Sequence, residues 1–175
     1  AKWNLARFAE CLIPLIDKNE DQAIKTATQI IDNFQTIYEQ KWLDMMKSKL
    51  GLIGDNKDDL KLINSLLNWM EESKADYTNT FCYLMDMPIK DEIYKDKRFI
   101  EWVKAWNNRS TLNNSNKEDQ FQFMKKVNPV IIPRNHKVEE ALSDANKNNY
   151  ETLYKLLSVI QNPYNPKVDV LEYQS

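Results

Sequence analysis

Apolar residues recur at three- and four-residue steps along almost the whole of this chain. Such spacing places them on one face of an α-helix. The clearest stripes are Leu60, Ile63, Leu67 and Met70; Val138, Ala141, Leu142 and Ala145; and Leu153, Leu156, Leu157 and Ile160. The one compact β-branched run, at 130–132, has proline on both sides and is typical of an extended connector. The pattern predicts an all-α fold, a single domain over residues 1–175 with about seven or eight helices.

The longest apolar stripe runs through residues 21–50. Its members are Ala27, Ile30, Ile31, Phe34, Tyr38, Trp42, Met45 and Met46. An unbroken helix over this segment would be about 43 Å long at 1.5 Å per residue. Because that length exceeds the usual range of globular helices, a break is the alternative. We expect one continuous helix here.

The helix ends are marked by capping residues and by proline. Gly51 follows the long stripe and fits a C-terminal cap, since glycine adopts left-handed φ at little cost. Asp58 falls in the first turn of the next helix, where carboxylates meet unpaired amides. Residues 115–118, Ser-Asn-Lys-Glu, have the spacing of a capping box. The Asn-Pro pair at 128–129 ends that helix, and Asn135 is expected to cap the following one, with glutamates in its first turn.

Glycine is nearly absent, with only Gly51 and Gly54 among 175 residues. Loops that cradle phosphates in dinucleotide, Walker and kinase sites each need at least two glycines within a few residues. The two glycines are close enough, but no Lys-Ser/Thr pair accompanies them and they follow a helical pattern instead of a strand. The sequence therefore predicts no nucleotide-phosphate loop.

The bulk composition excludes several classes of protein. Hydrophobic residues make up 42% of the chain, enough to predict a real core. Net charge is only -2, without the basic excess typical of nucleic-acid binding. No apolar run reaches the 18 residues of a membrane span. Two distant cysteines, both among apolar neighbours and expected to be buried thiols, fit a cytoplasmic protein. The helical pattern starts at Ala1 without Met or a signal peptide, which indicates a piece of something longer.

The side chains that could carry chemistry are few and scattered. His136 is the only histidine, so a His-rich metal site is excluded, and a structural corner is favoured over a catalytic base. The acidic run 55–59 and its continuation place Lys and Leu where an EF-hand needs an oxygen ligand and glycine, so it marks a helix start. Asp76, ahead of an apolar segment, is interpreted as a helix cap.

Two further groups of residues are better explained by structure than by chemistry. Trp102 and Trp106 lie one helical turn apart and are interpreted as core, not as a platform for stacking bases. Glu71 and Glu72 are adjacent on a helix and face different directions, so they cannot act as a general acid–base pair. The residues alone therefore predict no catalytic, cofactor-binding or metal-binding site in this chain.

Several short segments, in order and spread over nearly the whole chain, resemble the C-terminal region of the selenoprotein O family, also called the YdiU family. The segments are Trp3-Asn4-Leu5-Ala6-Arg7 with Ala9-Glu10 and Leu12; Lys49-Leu50-Gly51-Leu52; Asp76-Tyr77-Thr78 with Thr80-Phe81; Asn128-Pro129; Pro133-Arg134-Asn135-His136 with Val138-Glu139; and Asn162-Pro163-Tyr164. Nine of these positions are expected to be family signatures of structural role: Trp3, Asn4, Asp76, Tyr77, Asn128, Pro129, Arg134, Asn135 and His136.

The resemblance implies a kinase-like parent protein. Members of the family bind ATP in an inverted orientation and, with a divalent metal such as Mg or Mn, transfer AMP to hydroxyl side chains of other proteins. Their glycine-rich, nucleotide-binding and metal-holding residues precede the Trp-Asn-Leu segment, with which this chain begins. The resemblance therefore implies a part of a kinase-like C-lobe plus a family-specific C-terminal extension, inactive alone and without ATP or metal of its own.

The sequence also departs from the family pattern. Cys82 stands where a basic residue is expected after Thr80-Phe81, and the tail 170–175 lacks a cysteine- or selenocysteine-bearing end. A redox link through the terminus is therefore not expected. The residues Arg134, Asn135 and His136 are hypothesised to help dock this region to the kinase-like half.

Two functional hypotheses follow. In the first, the chain is a scaffold whose partners are the kinase-like half of the same protein and, for the parent, its protein substrates. In the second, it is an autonomous helical module that binds another protein through an exposed apolar face. Neither hypothesis involves nucleic acid or membrane.

Overall fold

The computed structural model of this chain describes residues 1–111, 116–164 and 173. Those residues form nine α-helices and a short 3₁₀ helix at Glu92–Lys95, with no β-strand among them. The α-helices are α1 (Lys2–Ile16), α2 (Glu20–Asp32), α3 (Phe34–Lys49), α4 (Asp59–Ser73), α5 (Tyr77–Leu84), α6 (Lys97–Thr111), α7 (Lys117–Val127), α8 (Asn135–Ala145) and α9 (Glu151–Ile160). The all-α prediction is confirmed. None of the helices described is both long and apolar enough to cross a bilayer.

The chain divides into two compact units, Ala1–Met45 and Met46–Ser175, and the division falls within α3. In the first unit, α1 packs against α2. Ala23 and Ala27 of α2 are buried there, whereas α1 contributes no buried residue. The prediction that residues 1–175 act as a single domain stays a prediction.

The long helix expected over residues 21–50 is interrupted at Asn33, which separates α2 from α3. The backbone of Asn33 still lies in the right-handed helical region, at φ -77° and ψ -9°. Asparagine is a poor interior residue because its short polar side chain competes with the backbone for hydrogen bonds. The prediction of continuity is therefore wrong at one residue, and the described helices number one more than the upper expectation.

The core of the second unit is built on a row of aromatic rings where α4 packs against α6. Trp69 of α4 stacks on Phe99 at 4.4 Å between ring centroids, and the row continues through Trp102 to Trp106 of α6 at about 6 Å steps. Trp102 and Trp106 are only 7% and 3% exposed. Their interpretation as core is confirmed.

The helix ends agree with the sequence signals to within a residue. The N-cap position of α4 is held by Asp58, that of α7 by Asn116 and that of α8 by Arg134. Asn135 is therefore the first residue of α8 and not its cap, and the first turn of α8 holds no acidic residue. Ser115 of the expected capping box lies outside the described residues, as does the tail 170–175 apart from Tyr173.

The β-branched run 130–132 connects α7 to α8 without forming a strand, as predicted. Val130 and Ile131 are buried, and their backbone N–H groups both donate to the carbonyl of Pro163, at 2.7 and 3.3 Å. This connector therefore ties the segment after α9 to the segment after α7.

Gly51 ends α3 in a Schellman motif. Its φ is +64°, the N–H of Leu52 donates to the carbonyl of Lys47 at 2.9 Å, and the N–H of Gly51 donates to Ser48 at 3.1 Å. The C-terminal cap predicted at Gly51 is confirmed. Space as well as φ requires glycine, because a Cβ here would lie 2.5 Å from the Cγ of Gln120.

Replacing Gly51 by alanine is expected to lower the free energy of unfolding by about 2–4 kcal/mol, since both backbone strain and overlap with α7 oppose the new methyl group. Gly54→Ala is the matched control. Gly54 has a similar φ of +69° but is exposed, so only the backbone term of about 1 kcal/mol applies. Urea unfolding of both variants measures the difference, and equal losses would contradict the steric argument.

Candidate functional site

Signature segments that are distant in sequence converge at the C-terminal end of α3. The last carbonyls of a helix have no partner within it and must be satisfied from outside. Here the carbonyl of Leu50 accepts from the indole N–H of Trp106 at 2.8 Å and from the Nε2 of Gln120 at 3.2 Å. The carbonyl of Lys49 accepts from the Nδ2 of Asn128 at 2.8 Å. Side chains from α6, α7 and the end of α7 therefore hold this helix end in place.

A charged pair joins α5 to the start of α8. Asp76 caps α5 by accepting from the backbone N–H of Asn79 at 2.7 Å. The same carboxylate accepts two hydrogen bonds from the guanidinium of Arg134, at 2.5 and 3.0 Å. Bidentate pairs of this kind are directional as well as strong. The capping role predicted for Asp76 is confirmed, and the structural role of Arg134 stays a prediction.

Lys49 connects these two groups of contacts. Its ammonium lies 4.6 Å from the centre of the Phe81 ring and 5.5 Å from that of Tyr77, within the range of cation–π attraction. Burial lowers the pKa of Lys49, against an opposing effect from Cys82. The hydroxyl of Tyr77 in turn contacts the sulfur of Met46 at 3.6 Å. We call Lys49, Asp76, Tyr77, Asn128 and Arg134 the signature cluster.

The polar groups of the signature cluster hold segments of the chain together. The carboxylate of Asp76 is bound to Arg134, and both carbonyls at the end of α3 accept from neighbouring side chains. Burial, together with the Asp76 charge, raises the pKa of the nearby Cys82 thiol to about 11, so this thiol stays protonated at neutral pH. The residues described contain no group of three or more His, Cys, Asp or Glu placed to hold a metal ion.

The ion pair between Asp76 and Arg134 should weaken in acid. Burial opposes ionisation of Asp76, but the hydrogen bonds and charge of Arg134 and the amide of Asn79 outweigh it and lower the pKa below 3.8. A carboxyl whose pKa is depressed by folding stabilises the protein above its unfolded pKa and loses that contribution as pH falls through the folded value. The stability difference between the wild type and Asp76→Asn is therefore expected to shrink between pH 6 and pH 3. Urea unfolding at both pH values measures it, and a constant difference would contradict the assignment.

The two cysteines differ, contrary to the expectation that both are buried. Cys82 is 0% exposed, but Cys11 is exposed because α1 has no buried face. At pH 8 a thiol of pKa 11 is ionised in only about one molecule in a thousand. Iodoacetamide is therefore expected to modify Cys11 alone in the native protein and both cysteines in urea, as counted by intact mass. Native Cys11→Ser should take up no label, and rapid labelling of that variant would contradict the account.

The structure gathers only part of the signature set. Four of the nine positions lie in the signature cluster, namely Asp76, Tyr77, Asn128 and Arg134. Pro129 is half-buried and follows Asn128 directly in sequence. Trp3 and Asn4 are exposed on α1 in the first unit, and Asn135 and His136 are exposed on the first turn of α8. Arg134 is bound to Asp76 and so belongs to the signature cluster. The predicted docking role of the corner 134–136 therefore stays a prediction for its two exposed residues, Asn135 and His136.

The sequence analysis did not predict the buried ion pair between Asp59 and Arg109. Asp59 and Arg109 form an ion pair at 2.6 Å, with side chains only 2% and 8% exposed. The same guanidinium donates to the carbonyls of Ile53 and Gly54, at 3.1 and 3.3 Å. No local pattern signals this pair, because its members are 50 residues apart and each fits an ordinary helix.

Comparison with known proteins identifies close relatives. Residues 1–161 match the family described as protein adenylyltransferase SelO. The chain is 51% identical over 164 residues to the protein nucleotidyltransferase YdiU of Pelagibacter ubique, with 93% of this chain and 34% of that protein covered. The YdiU proteins of Nitrosococcus oceani and Bacillus cereus (strain ATCC 14579) are 42% and 44% identical, covering 100% and 99% of this chain and 36% of each relative. The chain thus spans about a third of the length of the curated relatives it matches.

Proposed function

Because this chain belongs to the SelO family of protein adenylyltransferases, we propose that it is a non-catalytic helical scaffold within a longer enzyme of that family. The parent protein transfers AMP from ATP to Ser, Thr or Tyr hydroxyls of other proteins. Its kinase-like half lies in the two thirds of the relatives that this chain does not match, and ATP and Mg or Mn bind there. This chain supplies part of the kinase-like C-lobe and the C-terminal extension.

The observation that carries the proposal is the use of polar groups in the signature cluster. Asp76, Arg134 and Asn128 each bind another segment of the same chain, and so do the carbonyls at the end of α3. Groups committed in this way fix the relative positions of α3, α5, α7 and α8. Rigid positioning matters to catalysis because a displacement of about 1 Å at the reacting groups can cost on the order of 100-fold in rate.

The signature cluster does not fit ATP or its metal. A nucleotide site needs backbone amides or cations facing a phosphate, and a metal needs carboxylates that are not already paired. In the signature cluster the Asp76 carboxylate is paired with Arg134, and the ammonium of Lys49 faces aromatic rings. We therefore assign no step of AMP transfer to this chain.

The proposed partners are the kinase-like remainder of the same polypeptide and the proteins that the parent modifies, in the cytoplasm. Nucleic acid and membrane are not proposed partners, because the net charge of -2 gives no electrostatic footprint for either. The alternative is an autonomous helical module, and the large apolar residues exposed on α1 fit both proposals, as a face for another protein or for the rest of the parent. The sequence of the gene upstream of Ala1 discriminates the two, since only the first proposal requires a kinase-like half there.

The proposal is tested by AMP transfer from ATP labelled at the α-phosphate, with Mg or Mn, using the full-length protein that the gene encodes. Label is expected on hydroxyl side chains of protein acceptors, and the same assay with ATP labelled at the γ-phosphate should give none. Transfer of the γ-label, or no transfer to any acceptor, would contradict the proposed activity of the parent. Substituting Asn135 and His136 by alanine in that protein tests the docking corner without breaking the Asp76–Arg134 pair, and unchanged folding and transfer would refute its role.

A further inference from the structure

The two helices of the first unit enclose an apolar groove of about 630 Å³. Its floor and walls include Ala6, Ala9, Ile13, Ile24, Ala27 and Ile31. This volume lies within the range of sites that accept side chains or small ligands. Because alanine side chains are small, the groove has room for large side chains of a binding partner. We call it the α1–α2 groove.

The helix that forms one wall of the groove contributes no fully buried residue. None of the 15 residues of α1 is buried. Trp3 is 72% exposed, Phe8 62% and Leu15 81%, while Ile24 on the facing helix is 46% exposed. Isolated exposed apolar residues are normal, but a cluster of this size on one element marks an interaction surface.

The sequence of α1 indicates burial in the complete protein. Phe8, Leu12 and Leu15 follow steps of four and three residues along one side of the helix, and Ala6, Ala9 and Ile13 follow steps of three and four along another. A helix that is apolar over most of its circumference is typical of a protein interior. Packing on α2 covers only part of that circumference.

Resting on the proposed function, we propose that the α1–α2 groove and the Phe8–Leu15 stripe bind an amphipathic helix from the catalytic two thirds of the same polypeptide. The chain covers only about a third of each relative, so the remainder is long enough to supply this helix. A tethered segment also reaches the groove at a high effective concentration, which a second copy of the chain does not.

The groove specifies the chemistry of its occupant. An apolar floor accepts Leu, Ile or Phe side chains spaced three or four residues apart, as in other helix-in-groove interfaces. Two of the rim carboxylates are already paired within the first unit, Glu10 with Arg7 and Asp32 with Lys2, so the rim sets no strong charge preference. The binding helix is therefore expected to be apolar on the face that enters the groove.

Hydrogen–deuterium exchange of α1 and α2 amides tests the proposal in two proteins, this 175-residue chain alone and the full-length protein. Exchange is expected to be at least about tenfold slower in the full-length protein, since an occupied groove excludes water and adds apolar burial. Ile24→Glu should reverse that protection in the full-length protein and change the isolated chain by less than about twofold. Leu142→Glu is the matched control, because Leu142 is 49% exposed on α8, and it should leave α1 and α2 protected.

Three results would overturn the inference. One is equal exchange of α1 and α2 in the two proteins, and another is full protection that survives Ile24→Glu. The third is a dimer of the isolated chain, seen by sedimentation, in which both helices are protected, because the occupant would then be a second copy. Protection by the full-length protein without AMP transfer would instead sink the proposed function and leave this inference standing.

Discussion

Asp59→Ala is expected to lower the free energy of unfolding by about 3–5 kcal/mol, a large share of the stability of a small domain. The substitution leaves the guanidinium of Arg109, 8% exposed, without its carboxylate in a site that excludes water. Arg109 also holds the carbonyls of Ile53 and Gly54, so the segment between α3 and α4 should loosen as well. Urea unfolding followed by tryptophan fluorescence measures the loss.

Two controls separate burial from charge pairing. Glu72→Ala removes an ion pair of similar length, 2.6 Å to Arg98, but both side chains are more than half exposed. Its cost should stay below about 1 kcal/mol, because water screens and replaces such pairs. The double variant Asp59→Leu with Arg109→Met should be more stable than Asp59→Ala, since it leaves no buried charge unpaired. A loss of unfolding free energy in Asp59→Ala as small as that in Glu72→Ala would contradict the role given to the Asp59–Arg109 pair.

Trp106→Ala is the second substitution with a large expected effect, about 3–5 kcal/mol. The indole is 3% exposed, stacks on Trp102 at 6.0 Å and donates to the carbonyl of Leu50 at 2.8 Å. Truncation therefore removes a core ring and one of the donors that hold the end of α3. The same unfolding measurement applies.

Trp106→Phe divides this effect into packing and hydrogen bonding. Phenylalanine keeps most of the apolar contact but cannot donate, and Gln120 still donates to the Leu50 carbonyl at 3.2 Å. The expected cost is therefore only about 1–2 kcal/mol. Trp3→Ala, at a tryptophan 72% exposed, should stay within about 0.5 kcal/mol in this chain. Equal costs for Trp106→Ala and Trp3→Ala would contradict the assigned core.

The fold could be predicted from the sequence because its helices carry local signals. The apolar stripes, the cap at Gly51 and the Asn-Pro pair at 128–129 each act within one or two helical turns, where sequence spacing translates directly into geometry. The failures are also local and small. Asn33 interrupts a stripe that continues on both sides of it, and Arg134, not Asn135, precedes α8.

The contacts between distant segments of the chain could be predicted only in part. The resemblance singled out Asp76, Asn128 and Arg134, and the structure brings them to the same region. It could not show that Asp76 binds Arg134, 58 residues away, or that Asn128 binds the backbone of Lys49, 79 residues away. Contacts over such separations depend on how helices pack, and helical periodicity states only which face is buried. The Asp59–Arg109 pair was missed for the same reason.

We propose that these 175 residues position the chemistry of a larger enzyme and do not perform it. Equilibrium dialysis of the isolated chain against labelled ATP with Mg tests this claim most directly, with the full-length protein measured in parallel. The account predicts saturable binding near one ATP per chain for the full-length protein and no saturable binding for the isolated chain. One ATP bound per isolated chain, at comparable affinity, would contradict it.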